Sequence, residues 1–336
     1  MLTRQGYILD KSKYNKNYLK VIKDELTVEP FVPDAFKFGK QQDMKFKVYK
    51  ESDEYLAIPK YYGCTKIGKP KKIDFGQKNK AKIKFKGDLR EYQKKIMDIV
   101  IPKMKKDGGG LISIPPGRGK TVLAIYLASQ LKCRTLVLVH KTFLMEQWEE
   151  RIRMFTNSSV GKIQRKTVDV DHDFVIGMIQ SISMKDDYDL ELFEMFDFVI
   201  VDESHHISSK VFSRCLLKMT APYMLGLSAT FKRKDRLDKV FRWHVGDILY
   251  VDSELVECKK MVERYFFTSK YDTFKEHINR YNGRANLAKM YTELIDIKDR
   301  KKFIRGLVKD VYQRRPGTKA LFLSQRIDDI KQIKNI

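Results

Sequence analysis

The sequence lacks the residue patterns that build metal centres and disulfide frameworks. Its 336 residues include four cysteines, and none of them belongs to a Cys-x-x-Cys pair. The six histidines show no metal-ligand spacing, and the adjacent His205 and His206 are badly placed to chelate from one helix face. These absences argue against a zinc ribbon and a disulfide scaffold, and they favour a reducing, intracellular compartment.

A membrane-spanning segment and a secretory leader are also missing from the sequence. No apolar run reaches the ~18 residues that a transmembrane helix needs. No signal peptide opens the chain. The sequence therefore predicts no membrane partner.

Acidic residues are scarce relative to basic ones. The chain has 67 Lys and Arg against 43 Asp and Glu, which gives a formal net charge of +24. Such an excess favours polyanionic partners, nucleic acid first, although a highly charged solvated surface explains it equally well. The composition, 43% hydrophobic and 33% charged, is that of a chain with a real core. Its length suits two domains, or two and part of a third.

The first predicted domain, residues 1–87, is strand-rich by pattern and basic towards its end. Residues 69–86 hold eight lysines and one acid, Asp74. Within residues 80–86, lysines alternate with apolar residues, which predicts a strand with the lysines on one face. Two interpretations stay open: an edge strand kept soluble by lysine, or a strand that faces phosphate groups.

The second predicted domain, residues 88–250, alternates short apolar runs with helix-length amphipathic stretches. The runs predicted as buried strands are 111–114, 135–140, 173–178, 197–203 and 223–230, and the predicted helices include 120–131, 142–154 and 207–219. Buried strands that alternate with helices predict an α/β fold with a doubly wound parallel sheet. Ligands of such sheets bind at the carboxyl ends of the strands.

Residues 251–336 form the third predicted segment, a linker followed by the start of another α/β lobe. A helix is predicted over 301–313 and one more buried strand over 320–324. A complete lobe of this kind would need about 100 further residues.

Residues 114–121, Ile-Pro-Pro-Gly-Arg-Gly-Lys-Thr, lie between a predicted strand and a predicted helix. Gly117 and Gly119 let the backbone wrap closely around a phosphate, where N–H groups and the helix N-terminus supply positive potential. We expect Lys120 to reach the β- and γ-phosphates and Thr121 to ligate Mg²⁺. The loop departs from the strict pattern at Ile114, where glycine is usual.

A pair of acids closes a later strand. Asp202 is predicted to hold Mg²⁺ through water, and Glu203 to orient and deprotonate the attacking water. Two adjacent carboxylates repel each other without a cation, so a metal accounts for the pair, whereas a helix N-terminus that favours acids is the alternative. With Lys120 they form the predicted catalytic set.

Two further segments frame this chemistry. Gln93, at the start of a predicted helix, carries the donor and acceptor that reading an adenine edge requires. Small hydroxyl residues after another strand are predicted to couple the nucleotide state to a second lobe. The predicted ATP-binding set is Arg90, Gln93, Pro116, Gly117, Arg118, Gly119, Lys120 and Thr121, and the coupling set is His205, Ser228 and Thr230.

These segments resemble, in order and spacing, the motifs of superfamily 2 helicases. Residues 89–93 resemble the adenine-reading motif, 115–121 motif I, 202–205 motif II, 227–230 motif III, 136–148 motif Ia and 177–182 motif Ib. The resemblance implies a RecA-like P-loop NTPase lobe that uses ATP and Mg²⁺. It also implies nucleic-acid contacts, which fall on His140, Lys141, Gln147, Gln180, Ser181, Lys232 and Arg233.

A narrower resemblance links residues 227–247, 23–30 and 58–68 to the XPB/UvsW-like group and to helicases of nucleocytoplasmic large DNA viruses, including the poxvirus transcript-release ATPase. It implies a DNA-dependent ATPase, usually a 3′-to-5′ translocase, in transcription or repair, and for a viral protein the host cytoplasm or the virion. RNA stays open as a partner. The chain departs from the pattern at Ser204, Phe231 and Arg236, and the last two weaken the motif III assignment.

Residues 320–330 resemble motif IV, and no segment resembles motifs V and VI, which carry the arginine fingers. We therefore expect slow hydrolysis by this chain alone, with a second chain as one source of the missing motifs. Two other functions stay open. One is the motor subunit of a restriction-type nuclease, although no Pro-Asp…Glu-x-Lys nuclease core is present. The other is a non-catalytic module that binds ATP and DNA.

Overall fold

The computed structural model describes residues 1–31, 45–184, 188, 190–202, 209–228, 237–252, 262–268, 275–279, 283, 285–317, 319, 321–324 and 326–334. The chain divides into two compact units, Met1–Leu255 and Val256–Ile336. The predicted boundaries of three domains, at residues 87 and 250, stay predictions.

The N-terminal part of the first unit is strand-rich, as predicted. Its strands are β1 (Leu2–Thr3), β2 (Gly6–Asp10), β3 (Thr27–Val28), β4 (Phe46–Lys47), β5 (Lys50–Glu51), β6 (Tyr55–Ile58) and β7 (Ile73–Asp74), and its helices are α1 (Lys16–Glu25) and α2 (Lys60–Lys66). Five strands form one sheet in the order β5-β6-β2-β1-β7, and β3 pairs with β4. Helix α1 begins after Asn15, whose side chain accepts a hydrogen bond from the Asn17 N–H at 2.8 Å.

The rest of the first unit is an α/β lobe. Its strands are β8 (Gly109–Ser113), β9 (Thr135–Val139), β10 (Val160–Gln164), β11 (Thr167–Asp169), β12 (Phe174–Met178), β13 (Phe198–Asp202), β14 (Tyr223–Ser228) and β15 (Ile248–Val251). Its helices are α3 (Glu91–Asp107), α4 (Lys120–Leu131), α5 (Thr142–Phe155), α6 (Ile179–Met184), α7 (Glu191–Glu194), α8 (Ser209–Leu216) and α9 (Asp238–Val245). All five apolar runs predicted as buried strands are confirmed in their described residues, and residues 203, 229 and 230 of two of them lie outside these.

The eight strands form one sheet in the order β11-β10-β12-β9-β13-β14-β8-β15. Neighbouring strands are parallel except β10 and β11, which are antiparallel. Alternate residues of β9 enter the cores on opposite faces, with Leu136 and Leu138 in one core and Val137 and Val139 in the other. A sheet buried on both faces confirms the predicted doubly wound parallel α/β fold.

The N-terminal part docks on the amino end of this sheet through two buried basic side chains. Arg4 forms an ion pair with Asp197, the residue before β13. The Lys60 ammonium donates to the carbonyl oxygens of Gly108, Ala221 and Pro222 at 3.2, 3.3 and 2.8 Å. Burial lowers the pKa of Lys60 to about 7. Neither contact had a signal in the sequence.

The lysine-rich segment 80–86 follows the predicted alternation without forming a regular strand. Ala81 and Ile83 are buried, and the lysines on either side of them are exposed. In the described part of the chain, the β-bridges of this segment are isolated ones, from Lys80 to Cys133 and from Phe85 to Thr156. Its backbone crosses loops and helix ends rather than running beside one strand, so a continuous ladder cannot form.

The second unit contains α10 (Leu287–Asp296), α11 (Lys298–Arg314) and α12 (Ile327–Lys334). The predicted helix over 301–313 is confirmed within α11. The buried strand predicted over 320–324 is wrong for its described residues, because 321–324 are not a strand and Leu321 and Leu323 are 83% and 80% exposed. Among the residues described after 255 there is no strand with which this segment could pair.

Candidate nucleotide-binding site

The predicted phosphate loop connects the carboxyl end of β8 to the first turn of α4. Gly117 and Gly119 have φ angles of +82° and +80°, which side chains other than glycine's rarely adopt. A Cβ at Gly119 would also lie 2.5 Å from the Gln93 Nε2 atom. The loop backbone thus requires glycine at both positions. Such a loop before a helix N-terminus presents N–H groups to an anion.

Side chains at the start of α3 hold this loop in place through hydrogen bonds to its backbone. The Gln93 side chain is buried, and its Nε2 group donates to the Arg118 carbonyl oxygen at 3.3 Å while its Oε1 atom accepts from the Arg90 N–H at 3.0 Å. The Tyr92 hydroxyl donates to the same Arg118 carbonyl at 3.1 Å. A primary amide has further hydrogen-bonding capacity at both atoms. Adenine recognition by Gln93 and a role for Arg90 stay predictions.

Arg118 holds the other side of the loop through its guanidinium. This group lies 4.7 Å from the centre of the Tyr92 ring, and its Nε donates to the Asp252 carboxylate at 3.1 Å. Asp252 directly follows β15 and is 134 residues away in sequence. Neither residue was predicted as a site residue: Tyr92 lies within the predicted motif at 89–93 beside Gln93, whereas no local pattern marks Asp252.

Asp202 ends β13 at the same edge of the sheet. It is 6% exposed, and its Oδ2 atom accepts a hydrogen bond from the Trp148 indole N–H at 2.8 Å. Trp148 lies on α5 and is 1% exposed. This partner was not predicted from the sequence, because 54 residues separate the two. Glu203 lies outside the described residues.

Strand β14 lies between β8 and β13 and joins the two halves of the site. It ends at Ser228, which is buried and whose carbonyl oxygen accepts from the Ile114 N–H at 3.2 Å. The structure thus brings motif I, Asp202 of motif II and the described residues 227–228 of motif III to one sheet edge, where ligands of parallel sheets bind. Thr230 and His205 of the predicted coupling set lie outside the described residues.

The residues present suit a magnesium ion held partly by phosphate and water. Magnesium in nucleotide sites keeps several waters and takes only one or two protein ligands, which Asp202 and the Thr121 hydroxyl would supply. Among the described residues no cluster of three or more His, Cys, Asp or Glu could enclose a metal. Pro116 is exposed and Lys120 half-buried in the loop. Their ligand contacts, like those of Asp202 and Thr121, stay predictions.

The predicted nucleic-acid contacts lie around the carboxyl ends of β9 and β12. Lys141 and Gln147 are exposed, whereas His140 is buried. The backbone carbonyl oxygen of His140 accepts a hydrogen bond from the Gln180 side-chain amide at 2.9 Å. The Ser181 hydroxyl oxygen accepts from the Arg165 N–H at 3.1 Å and thereby holds the β10–β11 hairpin. Their contacts with nucleic acid stay predictions. Lys232 and Arg233 lie outside the described residues.

Comparison with known proteins gives consistent matches. Residues 86–233 match the family described as the res subunit of type III restriction enzymes. A protein of Acanthamoeba polyphaga mimivirus, named as an ATP-dependent RNA helicase, is 37% identical over 334 residues, which cover 98% of this chain and 64% of the relative. A DNA 3′-5′ translocase of Sulfurisphaera tokodaii is 31% identical over 60% of this chain and 44% of its own length.

The chain belongs to the superfamily 2 helicases. This confirms the family that the motifs predicted, including its viral members. The solved structure of the UvsW helicase from bacteriophage T4 matches 70% of this superfamily 2 chain and 94% of its own, at 17% identity and a TM-score of 0.48. The chain spans less than two thirds of the mimivirus relative's length. None of the helices in the described part of this chain is long and apolar enough to span a membrane.

Proposed function

We propose that this chain is a nucleic-acid-stimulated ATPase, the motor lobe of a DNA translocase or helicase. One observation carries the proposal: the glycine loop before α4 and the buried Asp202 lie at the same edge of one parallel sheet. That edge combines an anion cradle with a carboxylate, which is what a magnesium–triphosphate complex requires.

Each residue of this site has a distinct proposed task. The loop N–H groups and Lys120 bind the phosphates, and Thr121 with Asp202 holds the magnesium ion. A bound magnesium ion neutralises charge that develops on the phosphates during transfer. Glu203 orients the attacking water and takes its proton. Ser228 and Thr230, with His205, report the nucleotide state to a second lobe.

Motion on nucleic acid would follow from two states of different affinity. Closing two lobes around ATP and opening them after hydrolysis changes the contacts that His140, Lys141, Gln147, Gln180 and Ser181 make with the backbone. We propose that full activity needs a second lobe with arginine fingers, carried by a longer form of the chain or by a second chain. We propose that this activity serves viral transcription or repair, in the host cytoplasm or the virion, and the similarity to viral helicases supports this proposal.

The restriction motor is the second candidate, because the matching family is named for a restriction enzyme subunit. The match covers residues 86–233, which contain motifs I to III, and the sequence shows no Pro-Asp…Glu-x-Lys nuclease core. A motor role is therefore common to both candidates. DNA cleavage by the chain would favour the second.

The decisive assay is steady-state ATPase activity without nucleic acid and with single-stranded DNA, duplex DNA or RNA, at two salt concentrations. We expect turnover to rise with DNA, and the DNA concentration for half-stimulation to increase steeply with salt, because phosphate contacts release counterions. ATP hydrolysis that ignores all three polymers would contradict the proposal. If RNA stimulated ATP hydrolysis and neither form of DNA did, RNA would be the polymer along which the motor moves.

A further inference from the structure

Four lysines form a row on the first unit, in the segment that precedes the adenine-reading motif at residues 89–93. The lysine row consists of Lys80, Lys82, Lys84 and Lys86, all exposed. In an extended segment, side chains on one face repeat about every 6.6 Å, so the row is about 20 Å long. No Asp or Glu occurs within residues 75–87, and within the described structure no row lysine forms an ion pair. Other surface lysines, such as Lys66 with Glu25, do.

The backbone of the row is fixed to the lobe along its length. The Ala81 N–H donates to the Lys132 carbonyl at 3.0 Å and the Lys86 N–H to the Phe155 carbonyl at 2.7 Å. Phe85 stacks on the Phe155 ring, with 5.8 Å between centroids. Because the row is held in one conformation, a ligand that contacts it orders only the lysine side chains and not the backbone.

The position of the row separates it from the contacts that the motifs predict. Lys86 is bonded at Phe155, the last residue of α5, whereas Lys141 precedes the first residue of the same helix. A helix of 14 residues is about 21 Å long. The row therefore lies about one helix length from Lys141, and its Lys80 end, bridged to Cys133 just before β9, is at the amino-terminal side of the sheet.

We propose that the lysine row is a second nucleic-acid site, which binds the phosphate backbone of duplex DNA outside the track of the motor. A row of about 20 Å faces on the order of six phosphates of one strand at 3.4 Å rise. A membrane surface fits less well, because the alternate residues Ala81 and Ile83 are buried in the core and leave no apolar group to insert. The lysine-row proposal depends on the proposed function in one respect only, namely which residues form the track of the motor.

The test compares two variants of equal charge. Changing Lys80, Lys82, Lys84 and Lys86 to glutamine removes the row, and the matched control changes the exposed Lys16, Lys20, Lys105 and Lys106 to glutamine. Each variant lowers the net charge from +24 to +20.

Duplex binding is measured without nucleotide over a range of salt. We expect the slope of log K against log salt to become shallower by about 0.9 for each phosphate that a lysine no longer neutralises, up to about 3.6 for the row variant. The control should change by less than about 1.

Equal effects of the two variants would overturn the second site, since general charge attraction would then explain both. Binding of the row variant that matches the unmodified chain would do the same. The binding assay contains no ATP, so its result does not depend on the ATPase activity that the proposed function requires. If the unmodified chain shows no DNA-stimulated ATPase while the row variant still binds DNA more weakly than the control, the motor proposal fails and the row stands.

A second inference concerns Trp148 and rests on the proposed function. We propose that its indole is a positioning residue that fixes the rotation of the Asp202 carboxylate for magnesium. The two side chains are 1% and 6% exposed, and their 2.8 Å hydrogen bond forms where water has little access. Helix α5, which carries Trp148, begins directly after Lys141. A shift of α5 on binding nucleic acid would therefore reach Asp202 through one side chain.

Trp148→Phe removes the N–H donor and keeps an aromatic ring in the core. We expect the affinity for Mn²⁺ in the presence of a non-hydrolysable ATP analogue to fall by about 10-fold, the lower range for losing a partner of a metal ligand. The Mn²⁺ affinity is measured by the decrease of the free Mn²⁺ signal in electron paramagnetic resonance.

Trp243→Phe is the control, because Trp243 packs against Tyr62, with 5.3 Å between ring centroids, away from this site. An unchanged Mn²⁺ affinity in Trp148→Phe would overturn the inference. A complete absence of Mn²⁺ and nucleotide binding in the unmodified chain would instead refute the nucleotide site.

Discussion

Replacing Lys120 with alanine lowers the rate of ATP hydrolysis by at least about 10²-fold, the cost of removing one preorganised group that stabilises transition-state charge. Lys120 is the first residue of α4, directly after Gly119 in its left-handed conformation. Its side chain therefore starts at the phosphate loop, where the triphosphate would concentrate negative charge. The effect is measured as the turnover number at saturating ATP and DNA.

Lys132→Ala is the matched control, because Lys132 is an exposed lysine at the opposite end of the same helix. The 12 residues of α4 place it about 18 Å from the loop. We expect it to hydrolyse ATP like the unmodified chain. Lys120→Ala should keep its affinity for duplex DNA without nucleotide. Normal turnover in Lys120→Ala would refute the nucleotide site. An unmodified chain that binds DNA but does not hydrolyse ATP would favour the non-catalytic module.

The sequence predicted those parts of the fold whose signal is continuous along the chain. Strands β8, β9, β12, β13 and β14 are buried on both faces, so each appears as an uninterrupted apolar run. Strand β10 was missed because Gly161, Lys162 and Gln164 interrupt its apolar residues. Strand β15, Ile-Leu-Tyr-Val, was missed although it is also an apolar run, and it lies at the edge of the sheet with exposed residues at both ends.

The candidate site was predictable only where its residues are neighbours in sequence. The glycine loop is one such segment, and its positive φ angles at Gly117 and Gly119 agree with the conformational reason for glycine. Trp148 and Asp252 contact the site across 54 and 134 residues, so only the folded sheet brings them to Asp202 and Arg118. No pattern within a short window records such a contact.

The exposed segment 321–324 shows the opposite failure. Its apolar run, Leu-Phe-Leu-Ser, has the composition of a buried strand, and the strand was predicted from that composition alone. A strand also needs a neighbour for its backbone groups. The described part of residues 256–336 contains helices and no strand, so the composition could not produce one.

Replacing Arg4 with methionine lowers the free energy of unfolding of residues 1–255 by about 3–5 kcal/mol, because it leaves a buried carboxylate without its charge partner. Asp197 is 2% exposed and Arg4 is 8% exposed, so solvent screens their ion pair weakly. The Arg4 guanidinium also donates to the carbonyl oxygens of Phe75 and Phe196, at 2.9 and 2.6 Å, which lose this partner. Urea denaturation followed by tryptophan fluorescence reports this unit, because both tryptophans, Trp148 and Trp243, lie within it.

The control is a second arginine–carboxylate pair that differs in exposure. Arg153 is 60% exposed and pairs with Glu149 one helical turn away, so Arg153→Met should cost less than about 1 kcal/mol. Adding Asp197→Asn to Arg4→Met should recover part of the loss, because an amide can still accept the hydrogen bond that the Asn79 N–H donates at 2.6 Å. Equal losses in Arg4→Met and Arg153→Met would show that burial does not strengthen this pair. Asp197 immediately precedes β13, so loss of the ion pair should also loosen the strand that carries Asp202 and weaken nucleotide binding at the other end of that strand.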